Sequence, residues 1–213
     1  MKLKKSFLAK IRKPLIILTV SLFTALVFTA GLSSCNSTSR LIPGMEEQKN
    51  LDLYNQYMII ADEYFSQKKY DKAKTYYTEC LNCEDLYWDA YYKLAKICVL
   101  QSDWNGAEEK FKTLLKRDPE NSTLKENLAY VYAQKGNKEE AIKIYLELIE
   151  TSGAKSSFYE NLITIYISQK KVSDAEKYLG LLKEKFPDTQ SIQKFQSAID
   201  ALKESMENKE NKN

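Results

Sequence analysis

The sequence predicts an all-α fold, an α-solenoid of four helix-turn-helix repeats closed by a C-terminal capping helix. Three observations carry this. First, the stretch Trp88–Asn121 recurs with a period of 34 residues, and stacked-repeat proteins carry that kind of self-similarity. Second, apolar residues inside each unit fall at i, i+3, i+4 and i+7 twice over, with a short polar turn between the two runs. Third, alanine recurs in two registers of the repeat, which marks the close crossing of two paired helices.

With Trp88 as position 1, Tyr91, Leu94, Ala95 and Cys98 occupy positions 4, 7, 8 and 11. Ala107 and Phe111 occupy 20 and 24, and Pro119 stands at 32. One period earlier these positions read Tyr57, Ile60, Ala61, Tyr64, Ala73, Tyr77 and Asp85. One period later they read Lys125, Leu128, Ala129, Tyr132, Ala141, Tyr145 and Gly153. The fourth unit gives Tyr159, Leu162, Ile163, Tyr166, Ala175, Leu179 and Pro187, with Ile163 and Leu179 departing from the small and aromatic residues expected there. A larger residue than alanine at 8 or 20 pushes the paired axes apart. Pro119 and Pro187 end their helices by lacking an N–H and restricting the preceding residue. The repeats run 54–87, 88–121, 122–155 and 156–189.

Residues 1–34 have another character. Lys2, Lys4, Lys5, Lys10, Arg12 and Lys13 precede an uncharged run from Leu15 to Leu32, and no acid occurs before Glu46. A basic flank before an apolar core is an export signal. Two ways of using it follow from these residues: secretory cleavage near Thr29-Ala30-Gly31, or retention as an uncleaved anchor. The segment ends Leu32-Ser33-Ser34-Cys35, which resembles the lipobox of bacterial lipoproteins. That resemblance implies cleavage after Ser34 and a diacylglycerol thioether on Cys35, a lipid anchor in the membrane. All three uses place the remaining chain outside the cytoplasm, facing periplasm or exterior. Setting the six basic residues aside leaves 26 of 32 against 29 acids, so the mature chain is near −3 and offers no basic stripe for nucleic acid.

Residues 35–53 form the acylated cysteine and a tether whose end extends the first helix backward. Its first ten residues after Cys35 reach about 35 Å. After repeat four, Ile192, Phe195, Ile199, Leu202 and Met206 make one apolar stripe, so 190–206 is a capping helix, and the polar 207–213 a disordered tail.

The repeat pattern resembles the tetratricopeptide repeat (TPR) family over residues 54–189. In that family the first helix of each repeat lines a concave groove through positions 2, 5, 6, 9, 12 and 13. Carried onto this chain, the resemblance implies a peptide-binding groove with Met58, Asp62, Phe65, Tyr92, Lys96, Val99, Asn127, Tyr130, Asn161, Thr164 and Ile167. The aromatic and apolar members offer buried area and the asparagines bond a peptide backbone. The clamp that chaperone-binding members use for a C-terminal carboxylate is not met. Its Lys, Asn, Asn, Lys and Arg fall on Met58, Asp62, Lys93, Thr123 and Asn127, or one repeat on, Tyr92, Lys96, Asn127, Ser157 and Asn161.

The chain has no histidine and only six glycines, so the commonest general base, the commonest metal ligand and phosphate loops are absent. No enzyme activity, cofactor or metal is expected, nor a small-molecule substrate. Cys80-Leu-Asn-Cys83 invites a thiol or metal reading, but Cys80 stands where Leu114, Leu148 and Leu182 stand, a core position. Cys98 likewise replaces a core tyrosine. Cys83 stands at a polar position, and a disulfide from it to Cys80 or Cys98 is expected in an oxidising compartment. The function these features predict is a membrane-anchored interaction scaffold or adaptor in the bacterial cell envelope, its partner an envelope protein or peptide segment. The alternatives are a surface-exposed, adhesin-like lipoprotein and, behind it, a thiol or metal protein using Cys80 and Cys83.

Overall fold

The computed structural model describes residues 45–151 and 155–210, with side chains over 49–151 and 155–208. The chain divides into two compact units, 1–48 and 49–213, and the description below concerns the second. The signal segment, the lipobox with Cys35 and the tether up to residue 44 lie outside the described residues.

The described helices are α1 (Met45–Ser66), α2 (Tyr70–Cys80), α3 (Glu84–Leu100), α4 (Trp104–Arg117), α5 (Ser122–Gln134), α6 (Lys138–Thr151), α7 (Ser156–Ser168), α8 (Val172–Lys185) and α9 (Ile192–Glu210). From α2 onward each packs chiefly on its sequence neighbours, the contact pattern of an α-solenoid. None of them is long and apolar enough to cross a membrane. Helix α1 starts at Met45, so the end of the stretch assigned to the tether is helical. Helix α9 runs four residues past the expected Met206, into the sequence assigned to a disordered tail. Glu207–Glu210 contains no glycine or proline, and its Glu and Lys residues are good helix formers, so nothing local stops the helix.

The turn inside each repeat has one geometry. Lys68, Ser102, Gly136 and Lys170 stand 34 residues apart and all have positive φ, between 58° and 87°. In each, the next residue's N–H reaches back five residues: Lys69 to Tyr64 O, Asp103 to Cys98 O, Asn137 to Tyr132 O and Lys171 to Tyr166 O, at 2.8–2.9 Å. The positive-φ residue itself donates three residues back. This paired bonding satisfies the last carbonyls of the first helix and reverses the chain. Only the third repeat uses the glycine this conformation favours.

The helices begin less uniformly. Asp103 Oδ1 accepts from Gly106 N at 3.0 Å and Asn121 Oδ1 from Leu124 N at 3.1 Å, caps of about 1 kcal/mol each. Helices α2, α3, α7 and α8 start without a side-chain cap.

Ala61, Ala95 and Ala129, and Ala73, Ala107, Ala141 and Ala175 are fully buried, as the close-crossing argument requires. Position 24 supplies three of the largest buried side chains, Tyr77, Phe111 and Tyr145. The first helices also bury a second face that the sequence pattern left unassigned. Ala90 and Ile97, Leu124 and Val131, and Phe158 and Ile165 are buried at positions 3 and 10 of repeats two to four. In repeat one, Gln56 and Glu63 hold these positions and are exposed, and Ile60 is 37% exposed. These positions face the preceding repeat, and among the described residues none precedes α1. At the other end Phe195 and Ile199 of α9 close the core.

Candidate peptide-binding groove

Helices α1, α3, α5 and α7 line the candidate groove, and α3 is its centre. Tyr92 of α3 is half-buried, its ring meeting Phe111 edge-on at 6.4 Å. Beside it Lys96 extends so that its ammonium lies 5.3 Å from the Phe65 ring and 5.9 Å from that of Tyr92. Three of the expected residues, from two repeats, thus form one cation–aromatic cluster. Val99, one turn further along α3, is half-buried against the core below.

Asp62 accepts from the Tyr77 hydroxyl and from Lys93 Nζ, each at 2.5 Å and each at Oδ1. Burial pushes the Asp62 carboxyl up. The Lys93 ammonium and Tyr77 hydroxyl bonded to it outweigh that and hold it below the usual carboxylate range. Tyr77 is driven the other way, first by burial and then by Asp62, well above an ordinary phenol. Asp62 therefore stays ionised and fixes Lys93 across the gap between α1 and α3.

Two cavities open on this face. One of about 350 Å³ lies between α1 and α3, lined by Met58, Asp62, Leu86, Asp89, Tyr92 and Lys93. A second, of about 400 Å³, lies where α3 meets the end of α4 and the start of α5. Its apolar surface comes from Trp88, Tyr92, Leu114 and Leu124, and its rim includes Arg117, Asp118 and Asn121. The Arg117 guanidinium stacks 4.6 Å from the Trp88 ring, and Asn121 Nδ2 donates to Asp118 at 2.9 Å.

The expected residues of repeats three and four are less gathered. Asn127 Nδ2 donates to Thr123 O and Thr164 Oγ1 to Glu160 O, both at 2.8 Å and both one turn back on their own helices. Tyr130 is 37% exposed with its ring edge-on to Trp104. Asn161 is half-buried and Ile167 packs against the core. Asp89 and Lys93 occupy groove positions 2 and 6, and a reading by position alone could have named them. The Trp88–Arg117 pair joins opposite ends of one repeat, and no periodic signal marks it.

Cys80, Cys83 and Cys98 are free thiols, so the expected disulfide is not formed. The reason is direction. Cys80 is fully buried and its Sγ lies 3.5 Å from Tyr54 O, back toward α1. Cys98 sits in the next cluster of the core, with Phe111 and Leu128. Burial, with Cys83 and Glu79 nearby, pushes the Cys80 thiol up to about 11, the opposite of what a nucleophilic or ligating cysteine needs. Burial also raises Cys98. Among the described residues no group of three or more His, Cys, Asp or Glu is placed to hold a metal ion.

Two tetratricopeptide-repeat family models match the chain, over residues 57–82 and 92–157. Among curated proteins it is 26% identical over 181 residues to an uncharacterized lipoprotein of Treponema pallidum (strain Nichols), covering 84% of this chain and 86% of the relative. Among solved structures it resembles a tetratricopeptide repeat protein from Parabacteroides merdae, with a TM-score of 0.60 and 17% identity. That match covers 71% of this chain and 60% of the other. YrrB, described as a TPR protein with an unusual peptide-binding site, matches with a TM-score of 0.54 and 18% identity, over 70% of this chain and 76% of its own. At these identities the solved structures show a shared fold. The chain thus carries tetratricopeptide repeats over these residues, and stacked helix pairs of that kind are scaffolds for protein–protein interaction.

Proposed function

We propose that this chain is a non-enzymatic adaptor of the bacterial cell envelope, anchored by lipid on Cys35, that holds a peptide segment of an envelope protein on the face formed by its first helices. The observation that carries the reading is the pair of cavities on either side of Tyr92, each walled by apolar side chains and edged with charge. Aromatic anchors beside fixed polar groups are what peptide recognition uses. The Leu32-Ser33-Ser34-Cys35 ending and the likeness to a Treponema lipoprotein support the anchor. YrrB, described as having a peptide-binding site on this fold, supports the class of partner.

Photo-crosslinking in the native cell tests it. A photoreactive residue replaces Tyr92 or, as control, the exposed Lys177 of α8. The expected result is a discrete adduct from position 92 and none from 177. Adducts from position 177 alone move the partner to the outer surface, and their absence at 92 removes the groove assignment.

A further inference from the structure

Asp89 and Tyr92, neighbours on one face of α3, belong to both cavities, so the two pockets share a wall. Most of the charge around them is already answered. Asp62 is paired with Lys93. Arg117 lies on the Trp88 ring beside Asp118, which accepts from Asn121. Asp89 is exposed, and among the described residues it forms no hydrogen bond or ion pair. With the Asp62–Lys93 and Arg117–Asp118 charges cancelling, Asp89 leaves the shared wall with one negative charge. The remaining cation, Lys96, is two helical turns along α3, about 10 Å in rise and beyond the roughly 8 Å over which salt screens exposed charges. Its ammonium is turned onto the Phe65 and Tyr92 rings.

Spacing adds a second constraint. One cavity lies on the α1 side of α3 and the other on the α5 side, with Asp89 and Tyr92 of α3 between them, so side chains entering both are held apart by the width of one helix, about 10 Å. An extended chain in the polyproline II conformation rises about 9 Å in three residues and brings its side chain back to the same side. Resting on the groove reading above, we propose that the two cavities take apolar side chains at i and i+3 of an extended peptide, and that Asp89 selects a lysine or arginine between them.

The test is selection of random eight-residue peptides displayed on phage against the full chain purified in detergent, repeated on Asp89→Asn and Asp89→Lys. Asp89 is on the surface, so neither change threatens the fold. The expected winners carry two apolar residues three apart and a basic residue at i+1 or i+2. Resynthesised with glutamine in place of that base they bind about threefold more weakly, and with glutamate about tenfold more weakly, as exposed ion pairs allow. Asp89→Asn abolishes the preference and Asp89→Lys turns it toward acidic residues. Winners that lose binding on Tyr92→Ala yet show no basic preference, or one that Asp89→Lys leaves unchanged, overturn the inference and leave the groove reading standing. No enrichment, or winners indifferent to Tyr92→Ala, overturn both.

Discussion

Phe111→Ala is expected to lower the unfolding free energy by about 3–5 kcal/mol, the usual cost of emptying a buried phenylalanine site. Phe111 is fully buried in the cluster formed by Ala95, Cys98, Ala107, Leu114, Leu124, Leu128 and Val131, which joins repeats two and three. The alanines around it carry only a methyl group and cannot swing into the space. A solenoid is held by each repeat and its interfaces with its neighbours, so the loss falls on the middle of the array and splits the unfolding transition. Domains of ordinary stability have about 5–15 kcal/mol in total, which makes this a large fraction. Leu100→Ala, at a side chain 49% exposed, changes stability by no more than about 0.5 kcal/mol. Urea unfolding followed by circular dichroism measures both. A Phe111→Ala loss below about 1 kcal/mol would contradict the packing described. Because Phe111 also backs the Tyr92 ring, the same variant loosens the wall shared by the two cavities.

Cys35→Ser is expected to abolish lipid incorporation. Cells fed an alkyne-tagged fatty acid should label the wild-type chain and leave the variant unlabelled. Each buried methylene contributes about 0.8 kcal/mol to membrane affinity, so two or three acyl chains hold a protein stably where one does not. Equal labelling of both chains, or no labelling of the wild type, would contradict the anchor. Unlabelled wild type would return the segment to secretory cleavage near Ala30 or to an uncleaved span from Leu15 to Leu32.

The helix pairs were legible because two periods coincide in the sequence: 34 residues for the repeat and about 3.6 for each helix. Alanine at positions 8 and 20 is a steric requirement of the crossing, and those residues are fully buried. Positions 3 and 10 were missed because their residues vary from Ala90 to Phe158, so no single residue type repeats, although all six in repeats two to four are buried. The turn geometry was hidden for a similar reason. Lys68, Ser102 and Lys170 adopt a conformation that only Gly136 advertises. At the candidate site, position alone indicated Tyr92, Phe65 and Lys96, which the structure gathers. The state of Asp62 was not legible, since it depends on Tyr77 and Lys93, 15 and 31 residues away. The disulfide expectation failed because the exposure of Cys83 says nothing of where its partners point, and Cys80 is buried with its thiol turned toward Tyr54 of α1.

The central claim is that partners bind on the face that carries Tyr92. The most direct measurement is the dissociation constant, by titration calorimetry, of the partner segment recovered by crosslinking, for the wild type, Tyr92→Ala and Lys177→Ala. A central aromatic anchor contributes about 2 kcal/mol or more, so Tyr92→Ala should weaken binding about 30-fold with helical content unchanged, while Lys177→Ala leaves it unaltered. Equal affinity in the wild type and Tyr92→Ala, or a loss confined to Lys177→Ala, would contradict the account.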